Sequence, residues 1–427
     1  MNKEETLKKY KRRVIDTVIE EYLVNCGAVC VEGPKWCGKT WTSLYHCQSF
    51  YSVGSSENNF QNRAFAQIAP KSVLQGAAPR LIDEWQEVPA LWDAVRAEVD
   101  ERGEHGQFIL TGSATPKRKG ILHSGTGRIV PLRMRPMSLY ESGDSSGTVS
   151  LRDVCRGTVQ PQLTGDVSLE QLAGLIVRGG FPGNLSPVGN IGMLATAYID
   201  SVLQNDVQNI DGIAYDKHKI HLLLKSLARN EATLATQKSL MEDIREYEGE
   251  TLNPETVATY LNLVSRMFLT DNQEPFAPNY RSALRIRQAE KRHLADPSLV
   301  CALLNLTPEK LLGDLRTFGF LFEGLVERDL QVYAQANHAR VYHYKDYAEN
   351  EIDAVVENAD GSWSAFEIKL GFHQVESAAA GLLKLQKMFA EKGCTPPASL
   401  CVICGMSNAA FTREDGVMVV PITALKD

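Results

Sequence analysis

Residues 28–40 read Ala28-Val29-Cys30-Val31-Glu32-Gly33-Pro34-Lys35-Trp36-Cys37-Gly38-Lys39-Thr40. Ala28–Glu32 is a buried-strand pattern, Thr40 to Tyr45 continues as a helical run, and G-x-x-x-x-G-K-T stands between them. Glycines at this spacing let successive backbone N–H groups turn toward a polyphosphate without obstruction by a Cβ. The helix that follows adds its positive N-terminal dipole. The expected nucleotide contacts are Gly33, Pro34, Lys35, Trp36, Cys37, Gly38, Lys39, Thr40 and Trp41. Lys39 would reach the β- and γ-phosphates, and the Thr40 hydroxyl would take one position on Mg²⁺. A glycine turn that merely joins strand to helix is the plainer alternative, and the flanking pattern disfavours it.

A phosphate site also needs a carboxylate at the end of a neighbouring strand. Leu81-Ile82-Asp83-Glu84 supplies two. Asp83 would hold the metal, directly or through water, and Glu84 would polarise the attacking water. Without the phosphate loop, a solvated acidic turn would be the better reading of this motif. Phe108-Ile109-Leu110-Thr111-Gly112-Ser113 is the next strand, and Thr111, with Ser113 second, stands where a γ-phosphate sensor would act. The alternative is an ordinary strand-to-loop turn. Lys117, Arg118, Lys119, Arg128, Arg133 and Arg135 form a stretch without acids. It reads either as a solvated basic loop or as the source of a charge-neutralising arginine, Arg128, acting in its own subunit or on a neighbour.

Gly33–Thr40, Leu81–Glu84, Leu110–Ser113, Gly127-Arg128, Arg178-Gly179-Gly180-Phe181-Pro182 and the run from Tyr198 to Asp206 occur in an order that resembles AAA-type ATPases. The resemblance is to those whose P-loop domain is joined to a C-terminal domain of unknown function, DUF4143. It implies ATP and Mg²⁺ as ligands, a small helical lid beside the nucleotide, a winged-helix connector and a PD-(D/E)XK nuclease-like C-terminal fold. Helical patterns from Ser168, a capping-box start with Gln171, to about Arg229 fit the lid.

In the middle of the chain Thr233 to Ile244 is helical, and Asn253-Pro254 caps a second helix with Val257, Leu261, Val264 and Phe268 on one stripe. Extended segments near Asn272–Phe276 and Lys291–Asp296 would form the wing. Arg281, Arg285, Arg287, Lys291 and Arg292 face one acid, Glu290, so contact with a DNA backbone and inter-domain docking are both open readings. Docking is favoured, because the second helix carries Arg266 as its one basic residue.

Glu351–Glu357 and Ser364–Leu370 alternate as two strands around an Asp360-Gly361 turn. Period two puts Glu367 and Lys369 on one face of their strand; Asp353 would meet them across the hairpin, and Glu323 on the preceding helix would add a third carboxylate. Such a cluster would suit a second Mg²⁺ or Mn²⁺, with Lys369 stabilising developing charge. Ordinary salt bridges on a docking fold are the alternative. From Phe318 to Asp427 nine basic residues face fifteen acidic ones, a net of −6 that would repel a polyanion.

The chain has 427 residues, 44% of them hydrophobic and 23% charged, which is a globular composition, and its net charge of −7 excludes a globally basic nucleic-acid coater. No apolar run is long enough for a membrane span, and a cytoplasmic setting is expected. The nine cysteines read as reduced and mostly buried, and Cys401-x-x-Cys404 lacks a second ligand pair for zinc. The expected fold class is α/β: a P-loop NTPase (AAA-like) domain at 1–165, a helical lid at 166–230, a winged-helix connector at 231–317 and a restriction-endonuclease-like α/β domain at 318–427. The expected function is Mg²⁺-dependent ATP hydrolysis that rearranges the attached domains. An ATP-regulated DNA nuclease and a non-catalytic nucleotide-binding scaffold are the alternatives, and self-association is compatible with each.

Overall fold

A computed structural model describes residues 3–54, 61–115, 123–185, 191–207, 213–279 and 288–427. The chain forms two compact units: Met1–Pro136 with Asp206–Ala214 and Leu263–Leu269, and Met137–Asn205 with Tyr215–Asn262 and Thr270–Asp427.

The first unit is built on strands β1 (Ala28–Glu32), β2 (Ser49–Ser52), β3 (Arg80–Asp83), β4 (Phe108–Gly112) and β5 (Ile129–Arg133), in the order β2-β3-β4-β1-β5. Every pairing among them is parallel. Parallel strands are covered on both faces, which explains why β1 and β4 read as near-continuous apolar runs. Helices α1 (Lys3–Lys9), α2 (Ile15–Asn25), α3 (Lys39–His46), α4 (Gln61–Ile68), α5 (Pro70–Val73) and α6 (Ala90–Arg102) accompany this sheet. One core cluster joins Cys30, Ile82, Phe108 and Leu110 of the strands to Leu91, Trp92 and Val95 of α6. Because β1, β3 and β4 run the same way, their C-terminal ends bring Gly33, Asp83 and Ser113 to one edge of the sheet, where open α/β sheets bind ligands.

The second unit holds α7 (Leu139–Ser142), β6 (Val149–Ser150), α8 (Leu151–Arg156), β7 (Gln162–Leu163), α9 (Leu169–Arg178), α10 (Met193–Ser201), α11 (Lys217–Arg229) and α12 (Gln237–Glu248). Helix α13 (Pro254–Arg266) starts in this unit and ends in the first. After it come β8 (Glu274–Pro275), α14 (Pro297–Leu304), α15 (Pro308–Gly313), α16 (Leu315–Ala336), β9 (Arg340–Lys345), β10 (Glu351–Glu357), β11 (Trp363–Lys369), α17 (Val375–Glu391), β12 (Ser399–Cys404), β13 (Ala409–Thr412), β14 (Met418–Pro421) and β15 (Leu425–Lys426). Eight of these strands form one sheet, β7-β13-β14-β12-β11-β10-β9-β8, and β15 pairs with β6. Val355, Trp363 and Val402 of the sheet share a core cluster with Leu382, Leu385 and Phe389 of α17.

The expected boundaries at 165/166, 230/231 and 317/318 do not coincide with the edges of these units. The physical reason at the first is a buried polar lock. The Met137 N–H donates to the Gly180 carbonyl (2.7 Å), and the Leu139 N–H to Asp329 (2.9 Å). Asp296 accepts from the Gly180 N–H (2.9 Å) and from Arg328 (2.8 Å). A Cβ at Gly180 would lie 2.1 Å from the Met137 carbonyl oxygen, so the Arg178–Pro182 motif is read out by packing in this unit. Ser168 and Gln171 form the expected capping box of α9, and Asn253 caps α13 by accepting from the Thr256 N–H (2.7 Å). Thr233, expected in a helix, instead bridges Arg292, and α12 begins four residues later. The segments expected as a wing make antiparallel bridges (Thr270 with Leu294, Gln273 with Lys291), but β8 among them pairs with β9, so this region is drawn into the large sheet.

Candidate functional site

The phosphate loop, residues 33–40, leaves β1 and enters α3. A Cβ on Gly33 would sit 2.1 Å from the Met134 carbonyl oxygen, so only glycine lets the loop pass the chain after β5. Gly38 takes a left-handed φ of 107° as the residue that turns the loop into α3. The Lys39 ammonium is buried and donates to the carbonyls of Gly33 (2.9 Å) and Pro34 (2.8 Å), so the lysine spans the loop that it closes. Lys35 pairs with Asp206 at 2.5 Å, while Trp36 and Trp41 are exposed.

Asp83 is the hub of the site. Its Oδ1 accepts from the Thr40 hydroxyl (2.9 Å) and the Thr111 hydroxyl (2.7 Å), and Ser52 reaches Oδ2 at 3.4 Å. Burial pushes this carboxyl above its ordinary range, against the hydrogen bonds from Thr111 and Thr40. A divalent cation would favour the ionised form, so the donor set fits one: the Thr40 hydroxyl and the Asp83 carboxylate would hold Mg²⁺. Glu84 has a left-handed φ of 58°, which turns its backbone N–H to the Thr111 hydroxyl (3.0 Å). Its carboxylate accepts from Ser113 (3.1 Å) and from the Gln86 amide. The structure therefore brings Lys39, Thr40, Asp83, Glu84, Thr111 and Ser113 together.

Arg128 stands apart from them. It precedes β5, and Ala28 pairs with Ile129 while Glu32 pairs with Arg133, so the phosphate loop lies at the other end of the strand. At about 3.3 Å per residue the offset is on the order of 16 Å. Arg128 is half-exposed, binds Asp100 at 2.8 Å and holds that carboxyl below its usual range. Its expected position beside the phosphates of its own subunit is therefore corrected. Lys117, Arg118 and Lys119 lie outside the described residues.

Sequence reasoning missed three polar links to this site, whose partners are distant in the chain. Arg13 donates to the carbonyls of Cys37 and Arg135. Asp206 holds Lys35, and Arg266 exchanges hydrogen bonds with the backbone of Thr115, its Nε to the carbonyl (2.9 Å) and its carbonyl from the Thr115 N–H (3.0 Å). The glycine-lysine pattern of the loop carries no mark of these three partners.

The C-terminal cluster also forms, in a different electrostatic state. Lys369 lies 2.8 Å from Asp353 and 2.6 Å from Glu367, and the Ile368 N–H donates to Asp353 at 2.8 Å. Lys291, 1% exposed, ion-pairs with Glu323, lies 3.6 Å from Glu351 and donates to the Asp353 carbonyl at 3.4 Å. Burial alone would raise Asp353, but Lys369 and Lys291 hold it low; burial and the Asp353 charge push Glu367 up to about 8. Glu367 is thus mostly protonated at neutral pH. Two ammonium groups already neutralise these acids, and among the described residues no three His, Cys, Asp or Glu side chains are arranged to hold a metal. The expected second Mg²⁺ or Mn²⁺ at Glu323, Asp353 and Glu367 does not fit.

Lys291 is equally withdrawn from the basic stretch expected to meet DNA, and Arg292 turns its Nε to the Ala235 carbonyl at 3.0 Å. Arg281, Arg285 and Arg287 lie outside the described residues. Cys401 and Cys404 are both buried in β12. Among the described residues no helix is long and apolar enough to cross a membrane.

Three family profiles match successive stretches: an AAA domain over residues 25–143, a domain of unknown function (DUF8612) over 169–310 and a domain of unknown function (DUF4143) over 318–425. The middle match runs across the expected 230/231 boundary. The uncharacterized proteins Rv2008c of Mycobacterium tuberculosis and Mb2031c of Mycobacterium bovis are each 23% identical over 363 residues, 84% of this chain and 74% of theirs. The Walker-type ATPase PABY2304 of Pyrococcus abyssi aligns at 12% identity and a TM-score of 0.40, over 68% of this chain and 94% of that one. The AAA match and the parallel sheet together support an AAA-type ATPase domain with nucleotide binding and hydrolysis in the N-terminal part of the chain.

Proposed function

We propose that this protein binds Mg²⁺-ATP on residues 33–41 and hydrolyses it, and that turnover rearranges the two units. The observation that carries the chemistry is the convergence of Thr40, Asp83 and Thr111 within 2.9 Å hydrogen bonds beside Glu84. Loop N–H groups and Lys39 would bind the phosphates, and Thr40 and Asp83 would hold Mg²⁺, whose charge screens the β- and γ-phosphates. Thr111 fixes Asp83 and the Glu84 backbone together. Glu84 would accept the proton of the attacking water once its carboxylate leaves Ser113 and Gln86.

Rearrangement is supported by where the chain crosses between units. Both short segments that return to the first unit, Asp206–Ala214 and Leu263–Leu269, bear a residue bonded next to the site: Asp206 to Lys35 of the phosphate loop, and Arg266 to Thr115 just past the β4 sensor positions. A change in the loop or in β4 is thereby passed to chain that continues into the second unit. Lys39→Ala in the full chain is expected to lose at least a hundred-fold in turnover, and Glu84→Gln to keep ADP affinity while losing turnover comparably. Undiminished hydrolysis by either purified variant breaks the ATPase assignment; a parent that binds ADP but never hydrolyses ATP establishes the scaffold alternative.

A further inference from the structure

Arg13 lies twelve residues before the stretch that matches the AAA domain, in a basic run (Lys8, Lys9, Lys11, Arg12, Arg13) that would ordinarily be solvated. It is instead 5% exposed. Its guanidinium donates Nη1–H to the carbonyl of Cys37, inside the phosphate loop, at 2.8 Å and Nη2–H to the carbonyl of Arg135 at 2.9 Å. These two carbonyls belong to the two strands of chain that Gly33 separates, since Met134 and Cys37 both approach that glycine. A planar fork with fixed donor directions can bridge them; a single ammonium would reach one.

The fork is itself anchored. Asp16, fully buried, accepts from the Arg13 backbone N–H (2.8 Å), the Tyr10 hydroxyl (2.7 Å) and His46 (3.0 Å). Tyr10 also meets the Thr42 hydroxyl at 2.9 Å, and Arg12 donates to the Tyr45 hydroxyl at 2.6 Å. Residues 10–16 therefore grip α3 along its length and the loop at Cys37. In a trans peptide the N–H points opposite the C=O, so a Cys37 carbonyl turned to Arg13 aims the Gly38 N–H the other way, as an anion-binding loop requires.

We infer that Arg13 is a positioning residue of the nucleotide site: it holds the phosphate loop in its binding shape through Cys37 without touching the nucleotide. The inference rests on the ATPase reading above. A loop held equally for substrate and transition state changes KM and not kcat. If loss of the fork leaves about a tenth of the molecules with a competent loop, apparent affinity falls about ten-fold.

The test titrates the full chain with Mg²⁺-ADP by calorimetry and measures steady-state ATP hydrolysis. Arg13→Ala is expected to raise the ADP Kd and the ATP KM together by about ten-fold with kcat within about two-fold, and Arg13→Lys to recover part of that. Val18→Ala, which thins the buried face of α2 without reaching Cys37, controls for general destabilisation and should leave the ADP Kd unchanged. An Arg13→Ala Kd within two-fold of the parent overturns the inference. So does a Val18→Ala variant that weakens ADP as much at equal loss of thermal stability. If Lys39→Ala loses ADP while Arg13→Ala retains it fully, Arg13 fails and the ATPase reading stands; a parent without ADP affinity overturns both.

Discussion

The molecule contains two clusters of nearly the same composition, and they have opposite character. Each sets a lysine near two carboxylates: Lys39 with Asp83 and Glu84 at and just past the end of β3, and Lys369 with Asp353 and Glu367 inside the β10–β11 hairpin. In the first, the ammonium spends its hydrogen bonds on the Gly33 and Pro34 carbonyls, and the acids are held by the hydroxyls of Thr40, Thr111 and Ser113. Those are neutral partners, so the charges on both sides remain available to a phosphate and a cation. In the second, the ammonium lies directly on the acids, and Lys291 fills the position beside Glu323 and Glu351. The charges of that cluster are already paired with one another. Residue types therefore do not define a site; the partners that consume their charge do.

The same substitution in each cluster tests this difference with the largest effect. Lys291→Met leaves Glu323 without its buried counter-ion, whereas Glu351 keeps Lys345 at 3.5 Å, and stranding one partner of a buried pair typically costs about 3–5 kcal/mol. Lys39→Met removes two charge-assisted hydrogen bonds to carbonyls but strands no ion-paired carboxylate, and should cost less, about 1.5–3 kcal/mol. Calorimetric or urea unfolding of the two variants is expected to rank them in that order. Equal costs would mean that Lys291 is not the counter-ion of the C-terminal cluster.

A smaller effect follows from Glu367. Its carboxyl is pushed up to about 8 by burial and the Asp353 charge, above the ordinary carboxylate value that it regains on unfolding. The folded state then binds the extra proton, so this contribution is full below about pH 4.5. It declines as pH rises and is lost above about 8. Glu327, raised to about 7 by burial, acts in the same sense. Stability of the second unit should therefore fall between pH 5 and 8, and Glu367→Gln should flatten that slope. Since 1 kcal/mol moves the midpoint of a unit this size by roughly 2–4 °C, scanning calorimetry across the window reads it. An unchanged slope would place the proton elsewhere in the cluster.

The contrast also explains what the sequence discloses. Gly33–Thr40, Asp83, Thr111 and the β10–β11 hairpin are legible because their geometry is local: a strand, a turn and a helix, or two strands with a period of two. Lys291 was hidden because its neighbours Arg285, Arg287 and Arg292 make it look like part of a solvated basic stretch, whereas its partners Glu323 and Glu351 come from elements not yet formed at that point in the chain. Arg13 was hidden for the same reason, since its acceptors are backbone carbonyls, which carry no sequence signature. The unit boundaries were illegible because Asp206–Ala214 and Leu263–Leu269 cross back into the first unit, which no composition shift marks. The own-subunit placement of Arg128 had a readable counter-signal: it precedes the apolar Ile129–Leu132 run, and in a parallel sheet the ligand edge lies after such a run.

Arg128 gives the smallest expected effect and the sharpest use of the comparison. Its ion pair with Asp100 is surface-exposed, so Arg128→Ala should leave the unfolding midpoint essentially unchanged. Within one chain it is far from the phosphate loop, so turnover should stay within about two-fold if each N-terminal site is complete in its own subunit. A loss of a hundred-fold or more, with ADP affinity retained, would point to Arg128 of one copy reaching the nucleotide of another, as arginines supplied in trans do in phosphoryl transfer. Mixing Arg128→Ala with Lys39→Ala separates the cases. Turnover restored above that of either variant alone requires a site assembled from two chains. Turnover that simply averages the two leaves the N-terminal cluster self-sufficient, as its hydroxyl-held carboxylates suggest.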